Sequence, residues 1–388
     1  MLASMQTQFE KHFETKPDVA AFAPGRINLI GEHTDYNGGY VFPAAIELGT
    51  YGLARKREDR TIRFYSLNFE EKGIISFSLD DLDYNADHSW ANYPKGMVKF
   101  LIEAGYKIDS GFDVIVEGNI PNGASLSSSA SIEMLTGWLM KQLFNLDVER
   151  LELIQLGRKV ENKFIGVNSG IMDQFIVGMG QKDQAILLDT HTLEYHYVPT
   201  EFGDYTISIM NTNKRRELAE SKYNERLEEC QKALALLQQE LDIEALGHLD
   251  VETFESYAHL IEDETIRRRA RHAVTENARV KEAYDALAQS DFERFGELLN
   301  QSHASLKDDY EVTGTELDTL AESAQNVDGV LGARMTGAGF AGCAIALVHQ
   351  SKVKDLEDEV SRIYTDKIGY APSFYHVNIG DGVKTIEL

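Results

Sequence analysis

The chain has 388 residues, of which 43% are hydrophobic and 26% are charged, a balance typical of a soluble globular protein with room for two domains. Its formal charge of −25 argues against binding to nucleic acid or to anionic membrane surfaces. Two cysteines without a CxxC pair, and no apolar run of membrane length, predict a reduced, cytoplasmic protein.

The first half of the chain is predicted to be rich in strands. Residues 1–16 have the pattern of an amphipathic helix, and β-branched and aromatic residues then favour strands at 20–22, 40–45, 50–55, 61–66, 73–78 and 112–117. A helix is expected at about residues 90–104. Apolar residues at helical spacing predict two more helices, at 132–143 and 153–164, before strands return at 185–189 and 205–211.

The second half is predicted to be mostly helical. Residues 214–325 carry charged helical faces, and the chain then returns to strands at 332–335, 342–349 and 373–379 around a helix at 354–367. This order indicates an α+β protein, with one domain at residues 1–200 and a second at residues 201–388.

A polar segment at residues 23–40, APGRINLIGEHTDYNGGY, is the most informative stretch of the chain. It places Arg26, Glu32, His33 and Asp35 among four glycines, between residues that favour strands. Charged side chains this dense on a glycine-bent backbone favour a polar ligand over a hydrophobic core. We expect this segment to bind a molecule with many hydroxyl groups.

A serine turn at residues 121–131, PNGASLSSSAS, precedes a predicted helix. A turn of small residues at a helix N-terminus presents unpaired backbone N–H groups, which favour an anion. Serine hydroxyls there could also donate hydrogen bonds or bind Mg²⁺. Ala124 stands where a Walker lysine would be, and Ser127 stands where a nucleophile elbow has its last glycine. A serine-capped helix without a ligand is the alternative interpretation of this turn.

Residues 168–175, NSGIMDQF, place Asp173 in the first turn of another predicted helix, where the dipole favours the carboxylate. Such a carboxylate could orient or deprotonate a hydroxyl, or it could only complement the helix terminus. A glycine turn at residues 335–342, MTGAGFAG, contains GxGxxG, but the predicted strand after it excludes a Rossmann site. A tight turn packed near a ligand or another loop remains.

Together, the polar segment, the serine turn and the glycine turn resemble the three motifs of sugar kinases of the GHMP family. Residues 24–40 are similar to the galactokinase branch of that family. The resemblance implies a two-domain fold with a mixed N-terminal domain, a helix-rich, ferredoxin-like C-terminal domain and an active site in the cleft between them. It also implies ATP-dependent phosphorylation of the C1 hydroxyl of D-galactose, with Mg²⁺. A kinase for N-acetylgalactosamine or arabinose, and a catalytically silent galactose sensor, are the alternatives.

The resemblance further implies a role for each matching residue. Arg26 and Asp173 would flank the attacking hydroxyl, and Ser129 and Glu161 would bind magnesium. The sugar pocket would consist of Glu32, His33, Asp35, Gly170, Asp173 and Tyr223. The ATP site would consist of Trp90, Tyr93, Gly123, Ala124, Ser125, Leu126, Ser127, Ser128 and Ser129. The chain departs from the family pattern at Ser125, Ala338 and Ala341, where glycine is usual.

Overall fold

The computed structural model describes residues 1–215 and 219–388, so the predicted helical residues 216–218 lie outside the described part. The helices are α1 (Leu2–Phe13), α2 (Asn92–Glu103), α3 (Ser128–Leu143), α4 (Arg150–Lys159), α5 (Met172–Met179), α6 (Ala219–Leu237), α7 (Val251–Tyr257), α8 (Glu264–Ala288), α9 (Phe292–Asp308), α10 (Gly314–Gln325) and α11 (Val353–Ile368). Within the same ranges, no helix combines the length and the apolar character that a membrane span requires.

The strands form three sheets. They are β1 (Val19–Asn28), β2 (Tyr40–Val41), β3 (Pro43–Lys56), β4 (Thr61–Ser66), β5 (Ile75–Ser78), β6 (Phe112–Gly118), β7 (Gln184–Asp189), β8 (Tyr195–Pro199), β9 (Tyr205–Asn211), β10 (Val330–Thr336), β11 (Cys343–His349), β12 (Ser373–Tyr375) and β13 (Lys384–Ile386). The largest sheet has the order β13-β1-β3-β6-β4-β5, and the others are β10-β11-β9-β12 and β2-β7-β8.

Helix α3 is docked on the largest sheet, and this contact fixes the position of the serine turn. The Ser131 hydroxyl, in the first turn of α3, donates to the carbonyl of Ala23 (2.8 Å) and lies 2.9 Å from the Thr50 hydroxyl. Leu135 and Leu139 lie one and two turns further along the same face and are fully buried in the core. The helix therefore begins directly beside the bulged part of β1, where the polar segment starts.

The two halves of the chain, before and after residue 200, contribute to one common sheet and to one common apolar cluster. The last strand, β13, pairs with β1 in the sheet of the first half, with Ile386 opposite Ala20. One apolar cluster also combines Ile27 of the first half with Val280 and Ile345 of the second. The division at residue 200 therefore stays a prediction, and β13, from the second half of the chain, is part of the sheet of the first half.

Most predicted elements are present, with three informative differences. The strand expected at 373–379 ends at residue 375, and beyond it a single bridge joins Ile379 to Ile46. The helix expected at 153–164 changes to a π-helix at Val160–Ile165, and such segments occur frequently at functional sites. Strands β8 and β13 were not predicted, because β8 is a half-exposed edge strand and β13 is only three residues long.

Candidate active site

A cavity of about 380 Å³ lies where the polar segment, the serine turn, the glycine turn and the start of α5 meet. Fourteen of the predicted site residues line it, namely Arg26, Glu32, His33, Asp35, Trp90, Tyr93, Ser125, Ser127, Ser128, Ser129, Glu161, Gly170, Asp173 and Tyr223. Gly123, Ala124 and Leu126 are outside the lining. Ala124 and Leu126 are buried in the apolar cluster that joins the two halves, while Gly123 is exposed at the turn.

An ion pair between the buried Arg26 and the partly exposed Asp173 lines the cavity. Arg26 on β1 donates through Nε to Asp173 Oδ1 (2.7 Å) and through a terminal nitrogen to Oδ2 (3.1 Å). Its other terminal nitrogen donates to the Ser125 carbonyl (2.9 Å), and the Ser127 hydroxyl donates to Asp173 Oδ2 (2.6 Å). Burial opposes the charge of Arg26, but the nearby carboxylates of Asp173 and Glu32 raise its pKa.

Glu32 is held from the glycine turn. Its Oε1 accepts from the Gly337 backbone N–H (2.8 Å) and lies 3.3 Å from the guanidinium of Arg334, which is fully buried. Burial raises the pKa of Glu32, while Arg334 and Arg26 act in the opposite direction. Arg334 was not predicted as a site residue. An arginine inside an otherwise apolar strand nevertheless indicates a buried charge that needs a partner.

Asp35 and Gly170 lie in direct contact. The Asp35 carboxylate accepts from the Met172 backbone N–H (3.2 Å), and a Cβ at position 170 would lie 2.1 Å from that carboxyl group. Only glycine therefore allows the two segments to meet. Burial, with the neighbouring charge of Asp173, raises the pKa of Asp35 to about 6. Burial also raises the pKa of Tyr223 well above its usual value, so its hydroxyl stays neutral.

His33 lines the cavity, but both of its ring nitrogens are bonded within the protein. Nε2 lies 2.8 Å from the Ala338 carbonyl and Nδ1 lies 2.7 Å from the Tyr36 hydroxyl. Burial lowers the pKa of His33 to about 3, so the ring is neutral. In this arrangement no ring nitrogen is available to a ligand, and the predicted hydroxyl contact would have to come from another part of the residue.

The serine turn leaves the start of α3 open toward the cavity. Ser125 and Ser127 both have left-handed backbone conformations, with φ of 58° and 65°. Ser127 precedes the helix without capping it through its side chain, because its hydroxyl is directed to Asp173. Ser128 and Ser129 follow in the first turn and line the cavity. The turn is therefore suited to an anion, because the side chain of Ser127 does not cap the N-terminal amide groups of α3.

The other departures from the family pattern cause no backbone strain. Ala338 and Ala341 lie outside the left-handed region, whereas Gly337 and Gly339 adopt it, with φ of 88° and 85°. The Ala338 carbonyl contributes the hydrogen bond to His33 that any residue could provide.

Glu161, in the π-helix, lies against a second carboxyl group, that of Glu133 on α3. The Glu161 side chain is hydrogen-bonded by those of Ser129 and Glu133, and burial raises its pKa. Glu133 on α3 is fully buried, and burial with the charge of Glu161 raises its pKa well above the usual value. Glu133 was not predicted, because its role depends on a contact with a residue 28 positions away. Within residues 1–215 and 219–388, no cluster of three or more His, Cys, Asp or Glu side chains could hold a metal ion.

Trp90 lines the cavity, and it also packs against the core. Its ring meets that of Phe64 edge-on at 6.0 Å. The loop that carries Trp90 is held by Lys95, a buried lysine of α2 whose Nζ donates to the Asp83 carbonyl (2.9 Å). Trp90 therefore contributes both to the core and to the lining of the cavity.

Models of known families match three parts of the chain. The galactokinase galactose-binding signature matches residues 7–56, the GHMP kinases N terminal domain matches residues 92–181, and the GHMP kinases C terminal matches residues 283–366. These ranges contain the polar segment, the serine turn with Asp173, and the glycine turn, respectively.

Proteins similar to the whole chain include the galactokinase of Staphylococcus carnosus, 78% identical over 388 residues and 100% of both chains. The galactokinase of Enterococcus faecalis is 61% identical over 382 residues, 98% of this chain and 99% of that one. The crystal structure of Lactococcus lactis galactokinase complexed with galactose is 55% identical and has a TM-score of 0.98, covering 99% of this chain and 100% of that chain.

A crystal structure of a mevalonate kinase shares the fold, with 19% identity and a TM-score of 0.67 across 94% of this chain and 100% of that one. These matches confirm the predicted two-domain α+β fold of the GHMP kinases. The chain belongs to the galactokinase family within that superfamily.

Proposed function

We propose that this chain transfers the γ-phosphoryl group of ATP to the anomeric C1 hydroxyl of D-galactose, forming galactose 1-phosphate and ADP. The observation that carries the proposal is the position of the Arg26–Asp173 pair. Arg26 belongs to the polar segment, and the pair hydrogen-bonds to Ser125 and Ser127 of the serine turn, directly before the open N-terminus of α3. A hydroxyl held on one side and a phosphate held on the other would meet at this pair.

The sugar would bind against the polar segment. Glu32 is bonded to Gly337 and Arg334 through Oε1, and its Oε2 would accept from a sugar hydroxyl. Asp35 and Tyr223 offer an acceptor and a neutral hydroxyl, and Gly170 leaves the space that Asp35 needs. His33 completes the wall through its position, since its ring nitrogens are already bonded.

The nucleotide would bind along the serine turn. The first amide groups of α3 and the hydroxyls of Ser128 and Ser129 face the cavity and would bind the phosphates. Because Gly123, Ala124 and Leu126 lie outside the lining, they would contribute the shape of the turn and not their side chains. Trp90 and Tyr93 line the cavity where the adenine would lie.

Ser129 and Glu161 have the chemistry of a Mg²⁺ site. A hydroxyl and a carboxylate are oxygen donors of the kind that Mg²⁺ prefers, and Mg²⁺ usually takes its remaining ligands from water and substrate phosphates. Burial raises the pKa of Glu161, and the neighbouring acidic groups Asp173 and Glu220 act in the same direction, so a bound cation would have several negative charges near it. Bound there, Mg²⁺ would offset the negative charge of the phosphate groups.

The chemistry would depend mainly on position and charge. The C1 oxygen attacks the γ-phosphorus while the bond from that phosphorus to the ADP oxygen breaks. Arg26, kept charged by its carboxylate neighbours, would stabilise the negative charge that develops on the attacking and transferred oxygens. Asp173 would either accept the hydroxyl proton or orient the hydroxyl while the proton leaves to solvent.

A coupled assay of ADP formation tests the proposal with a panel of free sugars. We expect turnover with galactose, and none of comparable rate with N-acetylgalactosamine or arabinose. A preference for either of those sugars would replace galactose as the substrate, and galactose binding without ADP formation would indicate a sensor. The buried thiols Cys230 and Cys343, together with the need for ATP, support a cytoplasmic location.

A further inference from the structure

A closed ring of hydrogen bonds begins and ends on His33. From Nδ1 of His33, the ring runs to the Tyr36 hydroxyl (2.7 Å), the Tyr310 hydroxyl (2.5 Å) and the Cys230 thiol (3.1 Å). The Asn37 side-chain amide then donates to Cys230 Sγ (3.7 Å) and to the His33 carbonyl (2.8 Å). The five side chains thus connect the polar segment with α6 and with the turn after α9.

Each hydrogen in this ring has one possible position. The Ala338 carbonyl can only accept, so Nε2 of His33 carries the hydrogen and Nδ1 must accept from Tyr36. The Tyr36 oxygen then accepts from Tyr310, whose oxygen accepts from the thiol of Cys230. Burial raises the pKa of Cys230 to about 11, so the thiol proton is present at neutral pH. The network therefore selects a single tautomer of His33.

The ring also holds an unfavourable backbone conformation in place. His33 has φ of 59°, in the left-handed region, which is unfavourable for a residue with a Cβ. Glu32 and Asp35 lie on either side of this position, so the bend at His33 directs both carboxylates toward the cavity. Tyr310 is itself fixed, because its carbonyl accepts from Nε of the buried Arg226 (2.7 Å).

We propose that Tyr36 and Tyr310 are positioning residues for the sugar site: their hydroxyls hold His33, and through it Glu32 and Asp35, in the arrangement that binds galactose. They determine affinity for the sugar and not the rate of phosphoryl transfer. This inference rests on the proposed function, because it names the sugar that the positioned carboxylates bind.

The variants Tyr36→Phe and Tyr310→Phe test the proposal, alone and combined. Each removes one hydroxyl and interrupts the ring, so we expect the KM for galactose to rise about 3- to 10-fold, with kcat and the KM for ATP unchanged. Because one interruption is enough, the double variant should raise the KM for galactose no further than the larger single effect. An unchanged KM in both single variants, or a loss confined to kcat, would overturn the proposal.

Tyr364→Phe is the matched control. Tyr364 is also fully buried and its hydroxyl donates to the Thr212 carbonyl (2.6 Å), but it lies outside the ring. We expect it to lower the melting temperature and to leave the KM for galactose unchanged. If Tyr310→Phe does not fold, Tyr36→Phe decides the question, since Tyr36 is only partly buried.

The tautomer of His33 provides a test that needs no sugar. Nitrogen NMR of the unaltered protein should show His33 protonated at Nε2, and Tyr36→Phe should shift the Nδ1 resonance. Protonation at Nδ1 in the unaltered protein would contradict the ring. Absence of galactose turnover by that protein would instead contradict the proposed function, and the tautomer would still test the ring.

Discussion

The two sides of the cavity differ in how their polar groups are satisfied. On the side of the polar segment, Glu32 and His33 are 2% and 4% exposed. Glu32 Oε1 and His33 Nδ1 are already hydrogen-bonded to other residues of the protein. On the side of the serine turn, Ser128 is exposed, and the side chain of Ser127 does not cap the first amide groups of α3. One wall is complete before a ligand arrives, whereas the other is completed by the ligand.

This difference indicates where specificity lies. A preformed wall of buried carboxylates rejects molecules that leave those groups unpaired, since an unpaired buried polar group costs about 1–3 kcal/mol. An open helix N-terminus binds phosphate oxygens of many compounds with little discrimination. We therefore expect substitutions in the first wall to change the choice of sugar, and substitutions in the serine turn to change the requirement for nucleotide and metal.

Asp173→Asn should have the largest effect, because Asp173 is bonded from both sides of the cavity, by Arg26 and by Ser127. The amide has the same shape but neither accepts a proton nor balances the charge of Arg26. We expect kcat to fall about 10²- to 10⁴-fold in the coupled assay, with ATP affinity measured by calorimetry nearly unchanged.

The control for this variant is Asp113→Asn. Asp113 forms a similar two-bond pair with Arg63 (2.6 and 2.8 Å) in the same sheet, outside the cavity. It should lose stability and keep its kcat. Near-normal turnover of Asp173→Asn would remove Asp173 from the catalytic step and leave it as a structural partner of Arg26.

On the phosphate side, Glu161→Gln tests the metal site. The amide preserves the shape of the side chain but removes the charge that would attract Mg²⁺, so the Mg²⁺ concentration for half-maximal activity should rise about 10- to 100-fold. Glu103→Gln is the control, because Glu103 pairs with Lys159 on the surface at 3.5 Å. A Mg²⁺ dependence that is the same in both variants would contradict the role of Glu161.

On the sugar side, the pKa of Asp35 predicts a pH dependence. Burial and Asp173 raise that pKa to about 6, so Asp35 is a carboxylate at pH 7 and becomes protonated as the pH falls. A protonated group accepts the sugar hydroxyl less well, and the KM for galactose should rise about tenfold between pH 7 and pH 5. Asp35→Asn should raise the KM at pH 7 and remove most of this dependence, whereas a KM for galactose independent of pH would exclude the carboxylate.

The sequence predicts the two walls unequally. Arg26, Glu32 and Asp35 were found because charged residues are concentrated among glycines within one short segment. Arg334 was missed as the partner of Glu32, since a contact across 302 positions leaves no local pattern. The same reason applies to Glu133 behind Glu161 and to Tyr310 behind His33. Local patterns identify groups that meet a ligand, while the groups that hold them depend on the fold.

The smallest effect is expected at Ser125, which departs from the usual glycine on the phosphate side. Its left-handed backbone, with φ of 58°, disfavours a side chain, and within the described residues its buried hydroxyl has no hydrogen-bond partner. Ser125→Gly removes both the backbone strain and the unpaired hydroxyl, which stabilises the folded chain. The greater flexibility of glycine in the unfolded chain offsets part of this gain. We expect a gain of about 1 kcal/mol in the free energy of unfolding, measured in urea, with the KM for ATP changed less than about twofold.

Gly342 provides the counterpart of this test. A Cβ at position 342 would lie 2.3 Å from the Ser125 hydroxyl oxygen and 3.0 Å from the Ala124 carbonyl oxygen. Gly342→Ala should therefore be strongly destabilising in the unaltered chain, which has Ser125, and less destabilising in the Ser125→Gly variant. In that variant only the 3.0 Å contact with the Ala124 carbonyl oxygen and the strain of a φ of 89° at position 342 remain. Equal losses in the two backgrounds would mean that Ser125 fits the turn without the space that Gly342 leaves for it.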